Sequence, residues 1–584
     1  MSDTDLKKVR VPVLIIGAGA AGARAAIEMK REGVEPLVIS KRDHGDAHTT
    51  WARGGINAAL GNLDEEDSWQ IHAADTLDEG HFINDAEAVE TVTKNMPEVA
   101  RELDDWGMDF SRTPDGEVDQ RYFGAQSYRR TCFAGDYTGE ALLDTLVSKA
   151  QEMEIPYMDN VYVFDILSDG EKVEAAVAYD MEDEQYILFN FDKVVLAAGG
   201  HTSVYARHSS RDDENTGDGV GLAFNAGAEL MDMEFVQFHP TGMVGDRYGD
   251  DWDGRLVTEA VRGEGGHLYN SEGYRFMKDY SPKQMELDAR DVVARAIVSE
   301  IRAGRGTENG GVYLDISHKD EEFIKERLPR MYERFNDLGV NIAEEPMEVA
   351  PTAHYIMGGV KFDGQTGETA VEDLHVLGET TAGVHGANRL GGNSLAETVS
   401  VGKVVGGHIG QTDVSEPTDL PSKFENMMHE SIENRNELLN SEEGANPHEL
   451  ITEIRETMEE YAGIRRDEEK LTEGLRKARE IEEKAENLEV DGDMSSYEFE
   501  VANNIEFMLT AAKATFKSAI RRAESRGAHY RTDYTEKDED YLKNFVVRNE
   551  DDEMIVDDSP VGKPSEEVKE AVDEGHELDY HHLE

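Results

Sequence analysis

The sequence predicts an α/β protein: a Rossmann-like nucleotide-binding domain, a charged helical domain after it, and an extended C-terminal tail. Three observations carry that reading. An apolar, β-branched run at Val9–Ile16 leads directly into Gly17-Ala18-Gly19-Ala20-Ala21-Gly22, a GxGxxG motif set between strand and helix as it requires. A second glycine-rich stretch, 378–402, ends in SLAETVSVG and continues KVVGG, small and apolar residues that suit a buried helix. From about Thr418 to Ala528 the texture changes to long helical periodicity rich in Glu, Lys and Arg.

A chain of 584 residues is too long for one ordinary core, so several domains are expected. Asp and Glu number 124 against 59 Lys and Arg, giving a formal net charge of −65, yet 38% of residues are hydrophobic. That is enough for large cores, so the charge belongs to the surface and is not a sign of global disorder. An acidic surface argues against nucleic acid and anionic membranes, whose phosphates it would repel. Adaptation to concentrated salt, where screening removes most self-repulsion, is the simplest explanation. Cys132 is the one cysteine, which excludes an internal disulfide and leaves no Cys cluster for iron–sulfur or structural zinc. No apolar run approaches bilayer length and no secretory signal precedes the first strand, so a cytoplasmic protein is expected.

Taken in order, Gly17 allows the tight turn, Gly19 lets a pyrophosphate approach, and Gly22 lets the helix pack closely. The helix runs through Met29, a turn falls at Gly33, and a second strand passes through Pro36–Ser40. That strand ends in Ser40-Lys41-Arg42, without the acidic residue that grips an adenosine ribose; taken alone, Lys41 and Arg42 suggest the 2′-phosphate of NADP. Later segments point elsewhere. VVLAAGG at 194–200, with Ala198 and Gly199, is a buried strand ending in small residues, and Thr216-Gly217-Asp218-Gly219 is a tight turn before a helix. A nicotinamide enzyme has no evident need for all of these, whereas FAD lying extended touches several returning segments.

The segment 44–57 is polar, with the pair Gly54-Gly55, and suits a loop wrapped against a ring; His48 in it is either a hydrogen-bonding loop residue or a nucleophile towards the flavin methyl. RYFGAQSYRRTCFAGD at 121–136 is a second polar loop, expected to close over the site, in which Cys132 reads as a small loop residue more readily than as a catalytic thiol. DMEFVQFHP at 232–240 reads as an alternating strand ending at His239. Glu259 and Arg262 follow three apart, as on one face of a helical turn. His239, Thr258 and Arg290 can present polar groups to a small anion; alternatively Glu259, Arg262 and Arg290 form a structural ion-pair network. PTAHYIMGG at 351–359 places His354 at a turn before a strand.

In 378–402, Glu379 can accept hydrogen bonds from a sugar-like chain. Gly391-Gly392-Asn393-Ser394 open a helix whose unpaired N–H groups would stabilise a ring that becomes anionic on reduction. Arg389 just upstream carries a fork suited to a carboxylate. The competing reading is a glycine-rich turn before a core helix, with Arg389 on the surface. Helices around Phe424–Leu439 and His448–Ala485 are expected to pack as a bundle, and the acidic residues after them to lie partly extended over the surface.

These motifs together resemble the flavoprotein subunit of succinate dehydrogenase and fumarate reductase. The matching stretches are GAGAAG at 17–22, HTTWARGGINAALGN at 48–62, DMEFVQFHPTGM at 232–243 and LVTEAVRGEGG at 256–266. ARDVVARAI at 289–297, PTAHYIMGGV at 351–360, GANRLGGNSLAET at 386–398 and SRGAHYRTDY at 525–534 continue the series, which covers nearly the whole chain in order. The resemblance implies a two-part FAD domain, 1–235 and 346–415, interrupted by an α+β capping domain, 236–345, then a helical domain, 416–528, and a tail, 529–584. Two positions depart from the family pattern: Trp51 is bulky where a small residue is usual, and Ala125 stands where a second glycine is usual.

The resemblance further implies FAD attached covalently through His48. It puts Gly17, Gly19, Ala20, Gly22, Ser40, Lys41, Thr49, Gly54, Gly55, Ala198, Gly199, Asp218, Glu379, Asn393, Ser394 and Leu395 against the cofactor. It puts His239, Thr258, His354 and Arg389 on the two carboxylates of a dicarboxylate and makes Arg290 the proton-transfer residue, with Glu259 and Arg262 relaying protons. It also implies a separate iron–sulfur subunit to take the electrons, held to the cytoplasmic membrane face by anchor subunits. Succinate dehydrogenase is the leading expectation, and fumarate reductase is the same catalyst run backwards. L-Aspartate oxidase resembles the chain at many motifs but lacks the His48 equivalent. A flavin-carrying electron-transfer module would have no use for the dicarboxylate residues.

Overall fold

A computed structural model describes residues 6–439, 444–489, 496–551 and 553–575. The N-terminal strand β1 (Leu6–Ile16) turns at Gly17 into helix α1 (Ala20–Arg31), and β2 (Pro36–Ile39) returns parallel to β1. The strand Gln185–Leu196 lies parallel on the other side of β1, and Leu374–Val376 joins it there late in the sequence. Tyr157–Met158 extends the sheet past β2, and Val161–Ser168 with Val173–Asp180 adds an antiparallel hairpin at the far side. Val13, Leu14, Ile15 and Ile16 are all buried, so the C-terminal end of β1 reads as a continuous apolar run rather than an alternating one, whereas Lys7, Lys8 and Arg10 in its first half are exposed. Helix Asn393–Gln411 packs along α1 at backbone contact: a Cβ on Gly406 would sit 2.6 Å from Ala25 O, and one on Gly402 would sit 2.9 Å from Ala21 O. That contact brings the second glycine-rich stretch back to the first.

A second sheet, in the order Val236–Met243, Met347–Ile356, Val312–Asp315, His267–Tyr269, is antiparallel throughout and covers the mouth of the first domain. Its core is separate, running from Met243 through Val257, Ile297 and Phe335 to Val349. The chain enters and leaves this cap through one antiparallel strand pair. Two local expectations change here. Residues 232–235 form a turn, not strand: Asp232 has φ +55°, and its carboxylate accepts from Asn544 Nδ2 at 2.6 Å and Phe545 N at 2.9 Å. His354 lies inside the strand Met347–Ile356, not at a turn: the ladder with Val236–Met243 pairs Ala353 with Phe238 and Tyr355 with Gln237, and the register shifts at His354 between them.

The helical region holds Ser422–Leu439, Pro447–Ala462, Glu468–Ala485 and Ser496–Arg521. The predicted continuous helix 448–485 is broken at Gly463, and Asp467 caps the second half by accepting from Lys470 N. The last three of these helices pack on one another, whereas Ser422–Leu439 lies on the antiparallel hairpin of the first domain and so is not part of a bundle. The tail is not simply extended. Lys543–Glu550 and Glu553–Pro560 form a hairpin that pairs with Leu230–Met231, and Glu566–Glu574 docks Val568 against Ala73 and Leu77. Burial of Phe545, Val546 and Val547 ties it down. Among the described residues no helix is long and apolar enough to cross a membrane.

Candidate active site

One elongated cleft runs from the GxGxxG turn to the underside of the cap, and most of the predicted site residues line it. At its floor Gly17 has φ +117°, and a Cβ there would meet Ala197 O at 2.1 Å. Ala20 N donates to Thr49 Oγ1 at 3.2 Å, which ties the loop carrying His48 to the N-terminus of α1. Gly22 stands behind the cleft, where a Cβ would meet Gly17 O at 2.0 Å; its part is packing. Gly54 and Gly55 press against Phe123 and Cys132 with no room for a side chain. Gly199 has φ +77°, and a Cβ on the next residue, Gly200, would meet Glu379 Oε1 at 2.7 Å. Glu379 accepts from Ile356 N at 3.0 Å, and burial raises its carboxyl above the ordinary value.

The cations at the end of β2 are already compensated. Lys41 Nζ pairs with Asp218 at 2.9 Å and Glu500 at 3.4 Å, while Arg42 pairs with Asp213 at 2.8 Å and Glu500 at 3.0 Å. They therefore lose the appearance of a 2′-phosphate site that the bare sequence lends them. Ser394 and Leu395 line the far end of the cleft at the start of Asn393–Gln411, after Gly392 at φ +85°. Asn393 does not line it. Its Oδ1 accepts from Asn57 Nδ2 at 2.7 Å and faces His72 Nε2 at 2.8 Å, so its side chain braces the loop from behind.

Beneath the cap four of the predicted groups converge on the same cleft wall: His239, His354, Arg290 and Arg389. A bulge after His239 lets Thr241 N donate back to its Nδ1 at 3.2 Å, which leaves the proton on Nε2, a buried atom with no hydrogen-bond partner. Burial, then Arg290, Arg262 and Arg389, hold this imidazole well below its ordinary value. His354 stands edge-on to it at 5.1 Å between ring centroids, with Nδ1 2.8 Å from Ser209 Oγ. Burial and then the neighbouring His239, Arg290 and Arg389 push His354 down as well. Arg389 is buried, not at the surface; it lies over the Tyr355 ring at 4.3 Å and donates to Ser394 Oγ at 3.0 Å. Burial and then Arg290 lower its guanidinium to about 9. Thr258 is buried in the same wall and accepts from Ala260 N at 3.2 Å.

The ion-pair network shares Glu259 and Arg290 with the cleft wall. Arg290 pairs with Glu259 at 2.6 Å, Arg262 lies 3.7 Å from the same carboxylate, and Gly124 N donates to Glu259 Oε1 at 2.9 Å. Burial opposes the ionised carboxylate, yet Arg290 and Arg262 outweigh it and bring Glu259 to about 2. Arg262 itself sits behind Glu259, off the cleft, donating to Glu286 O at 2.5 Å. Cys132 is buried in a short strand, and burial pushes its thiol up to about 12, so no thiolate forms at neutral pH.

Sequence reasoning missed Gln237, which accepts from Arg290 Nη1 at 2.8 Å and donates to Arg389 O at 2.8 Å. A polar residue at the centre of the apolar run FVQFH was the available signal. It also missed Asn57 and Gln126, both bonded to Gly391 O, and Glu214, which nothing in the acidic turn RDDEN sets apart. The two departures from the family pattern have structural counterparts. Ala125 takes φ +63°, a left-handed conformation that costs a residue with a Cβ and that glycine adopts freely. Trp51 lines the cleft between Arg53 and Arg255, whose guanidinium carbons lie 5.8 Å and 5.5 Å from its ring.

A glycine floor that approaches backbone, returning segments from four parts of the chain, and anion-seeking donors at the far end fit an extended dinucleotide with a ring at the capped end. These features define a dinucleotide-binding α/β protein with an antiparallel sheet over one end of its cleft. Residues 12–395 match the family model described as FAD binding domain, and residues 451–571 match Fumarate reductase flavoprotein C-term. The chain is 41% identical over 538 residues to a fumarate reductase (CoM/CoB) subunit of Methanothermobacter marburgensis, covering 92% of this chain and 96% of that protein. It is 36% identical over 578 residues to the succinate dehydrogenase flavoprotein subunit of Rickettsia conorii, covering 94% and 95%. A variant of E. coli quinol fumarate reductase FrdA superposes with a TM-score of 0.88 at 34% identity, over 97% of this chain and 99% of that one. The chain belongs to the succinate dehydrogenase/fumarate reductase flavoprotein family of FAD-dependent oxidoreductases.

Proposed function

We propose that this protein oxidises succinate to fumarate as the flavoprotein subunit of a succinate dehydrogenase, with FAD attached through His48. The observation that carries this reading is the convergence of His239, His354, Arg290 and Arg389 on one wall of the cleft, with His239 Nε2 left unpartnered. Two neutral imidazoles and two guanidinium groups suit the two carboxylates of a small dicarboxylate, and Thr258 adds a hydroxyl. FAD, when bound, supplies the hydride acceptor. The protein's own share is orientation and proton transfer.

Arg290 is the proton-transfer residue. An arginine base is unusual because its free pKa lies above about 12. Read in the direction of fumarate reduction the difficulty lessens: a charged Arg290 donates to the carbanion-like centre, and Glu259, 2.6 Å away, is the carboxylate through which it regains a proton. Microscopic reversibility assigns proton removal from succinate to the same group. Arg262, on the buried side of Glu259, completes the relay. Fumarate reductase is the second reading, favoured by the 41% identity to a protein of that name.

The reduced flavin hands its electrons to a separate iron–sulfur subunit, with anchor subunits holding the assembly to the cytoplasmic face of a membrane. Family membership supports this, together with solved relatives described as quinol–fumarate reductase with menaquinol and as Sdh1 in complex with UQ1. The test is reduction of an artificial acceptor by the purified subunit with succinate, with L-aspartate as control. Turnover with succinate alone supports the reading; turnover with aspartate, or with neither, sinks it.

A further inference from the structure

We infer that Glu214 is the positioning residue for His48: it holds the imidazole with its proton on Nδ1 and so presents Nε2 as the nucleophile that joins FAD to the protein. The inference rests on the reading of His48 as the attachment site. Its basis is the geometry of four side chains. His48 Nδ1 lies 3.5 Å from Glu214 Oε2, and both atoms are buried without any other hydrogen-bond partner. Each therefore carries an unmet demand that the other is placed to satisfy, and a small rotation of either side chain closes the bond. Glu214 is itself fixed. Its Oε1 accepts from Arg211 Nη2 at 2.8 Å, and Arg211 Nη1 meets Asp46 at 2.9 Å and 3.0 Å. His48 and Glu214 both line the cleft, so the ring nitrogen not facing Glu214 is the one available to a ligand there.

The chemistry needs such a partner. In a neutral imidazole one nitrogen carries hydrogen and the other a lone pair, and which is which follows the bond that the first one makes. A carboxylate at Nδ1 puts the lone pair on Nε2. As Nε2 bonds to the flavin 8α-carbon, a C–H bond of that methyl group breaks and its proton leaves to solvent. The electron pair of that C–H bond stays in the isoalloxazine until fumarate, or dioxygen, removes it as a two-electron acceptor. The imidazole becomes cationic as the N–C bond forms. A preorganised carboxylate beside Nδ1 stabilises that charge and then takes the Nδ1 proton. Two protons and two electrons leave in all. Arg211 and Asp46 keep Glu214 from turning away while this happens.

The experiment follows attachment itself and not turnover. Full-length protein is incubated with FAD and fumarate, samples are acid-precipitated over time, and flavin retained on the polypeptide is read by fluorescence and by the mass of the peptide containing His48. Releasable FAD per chain is measured in parallel. Glu214→Gln is expected to bind FAD at the wild-type ratio but to form the covalent product at least ~10-fold more slowly. A wild-type rate in that variant overturns the inference. If the variant does not hold FAD, Glu214→Asp decides. Slower attachment with FAD still bound then supports the assignment, and an unchanged rate overturns it. If the wild-type protein itself never retains flavin, the reading of His48 as the attachment site is what fails, and the inference falls with it.

Discussion

Arg290 holds Glu259 with two nitrogens on one oxygen, Nε at 2.7 Å and Nη2 at 2.6 Å, while its third nitrogen, Nη1, donates to Gln237 Oε1 at 2.8 Å. Every nitrogen of this guanidinium is committed in a fixed plane. Lysine offers one ammonium at the end of a flexible stem and cannot hold both partners. Arg290→Lys is therefore expected to lower succinate-dependent dye reduction by at least ~100-fold with flavin content unchanged. Near-normal turnover would remove Arg290 from the proton path.

Gln237 bridges the two arginines of the site, accepting from one and donating to the backbone of the other. Its loss leaves a buried, charged donor short of a partner, at a cost of about 1.5–3 kcal/mol. Gln237→Leu should lower kcat by roughly ten- to a hundred-fold, since each ~1.36 kcal/mol is a factor of ten in rate, and more than it raises KM, because Arg290 is the group set loose. Steady-state kinetics with succinate check this. A change in KM alone would mean that Gln237 serves binding only.

The pH behaviour follows from the imidazoles. Burial, helped by the neighbouring guanidinium groups, depresses His239 and His354 in the folded protein, so both are neutral donors near pH 7. The sign is that of a lowered folded pKa: their contribution to stability is complete above the unfolded value of about 6.5 and is lost as pH falls towards the folded one. Malonate titrations, followed by the flavin spectrum, should accordingly show no tightening between about pH 8 and pH 6 attributable to either ring. A tenfold gain in affinity on acidification that His239→Gln abolishes would show an imidazolium instead.

The surface makes a prediction of its own. With a formal net charge of −65, self-repulsion opposes folding, and raising salt from 0.1 M to 1 M shortens the screening length from about 10 Å to about 3 Å. The thermal midpoint should rise by several degrees over that range in KCl. A midpoint that falls or stays level would refute a stability limited by surface charge.

The sequence by itself determined the nucleotide-binding half. GxGxxG between strand and helix, the small residues ending Gln185–Leu196, and the glycine pair opening Asn393–Gln411 are local signals: each specifies a turn that only glycine takes, or a close approach that a Cβ forbids. Arg290, Glu259, His239, His354 and Arg389 were legible as polar residues in patterned stretches, though not as neighbours. Their meeting depends on pairing Val236–Met243 with Met347–Ile356, a contact between segments about a hundred residues apart in sequence. The sequence left open whether Arg389 lies at the surface, whether Lys41 is free, and which way Asn393 faces. The tertiary structure decided these by burying Arg389 under the cap over Tyr355, by bringing Asp218 and Glu500 to Lys41, and by setting Asn57 and His72 against Asn393. It also tied the tail into a hairpin on Leu230–Met231. In each case the partner is remote in the chain, and a side chain's charge, exposure and direction are set by the groups that folding brings to it, which no local pattern encodes.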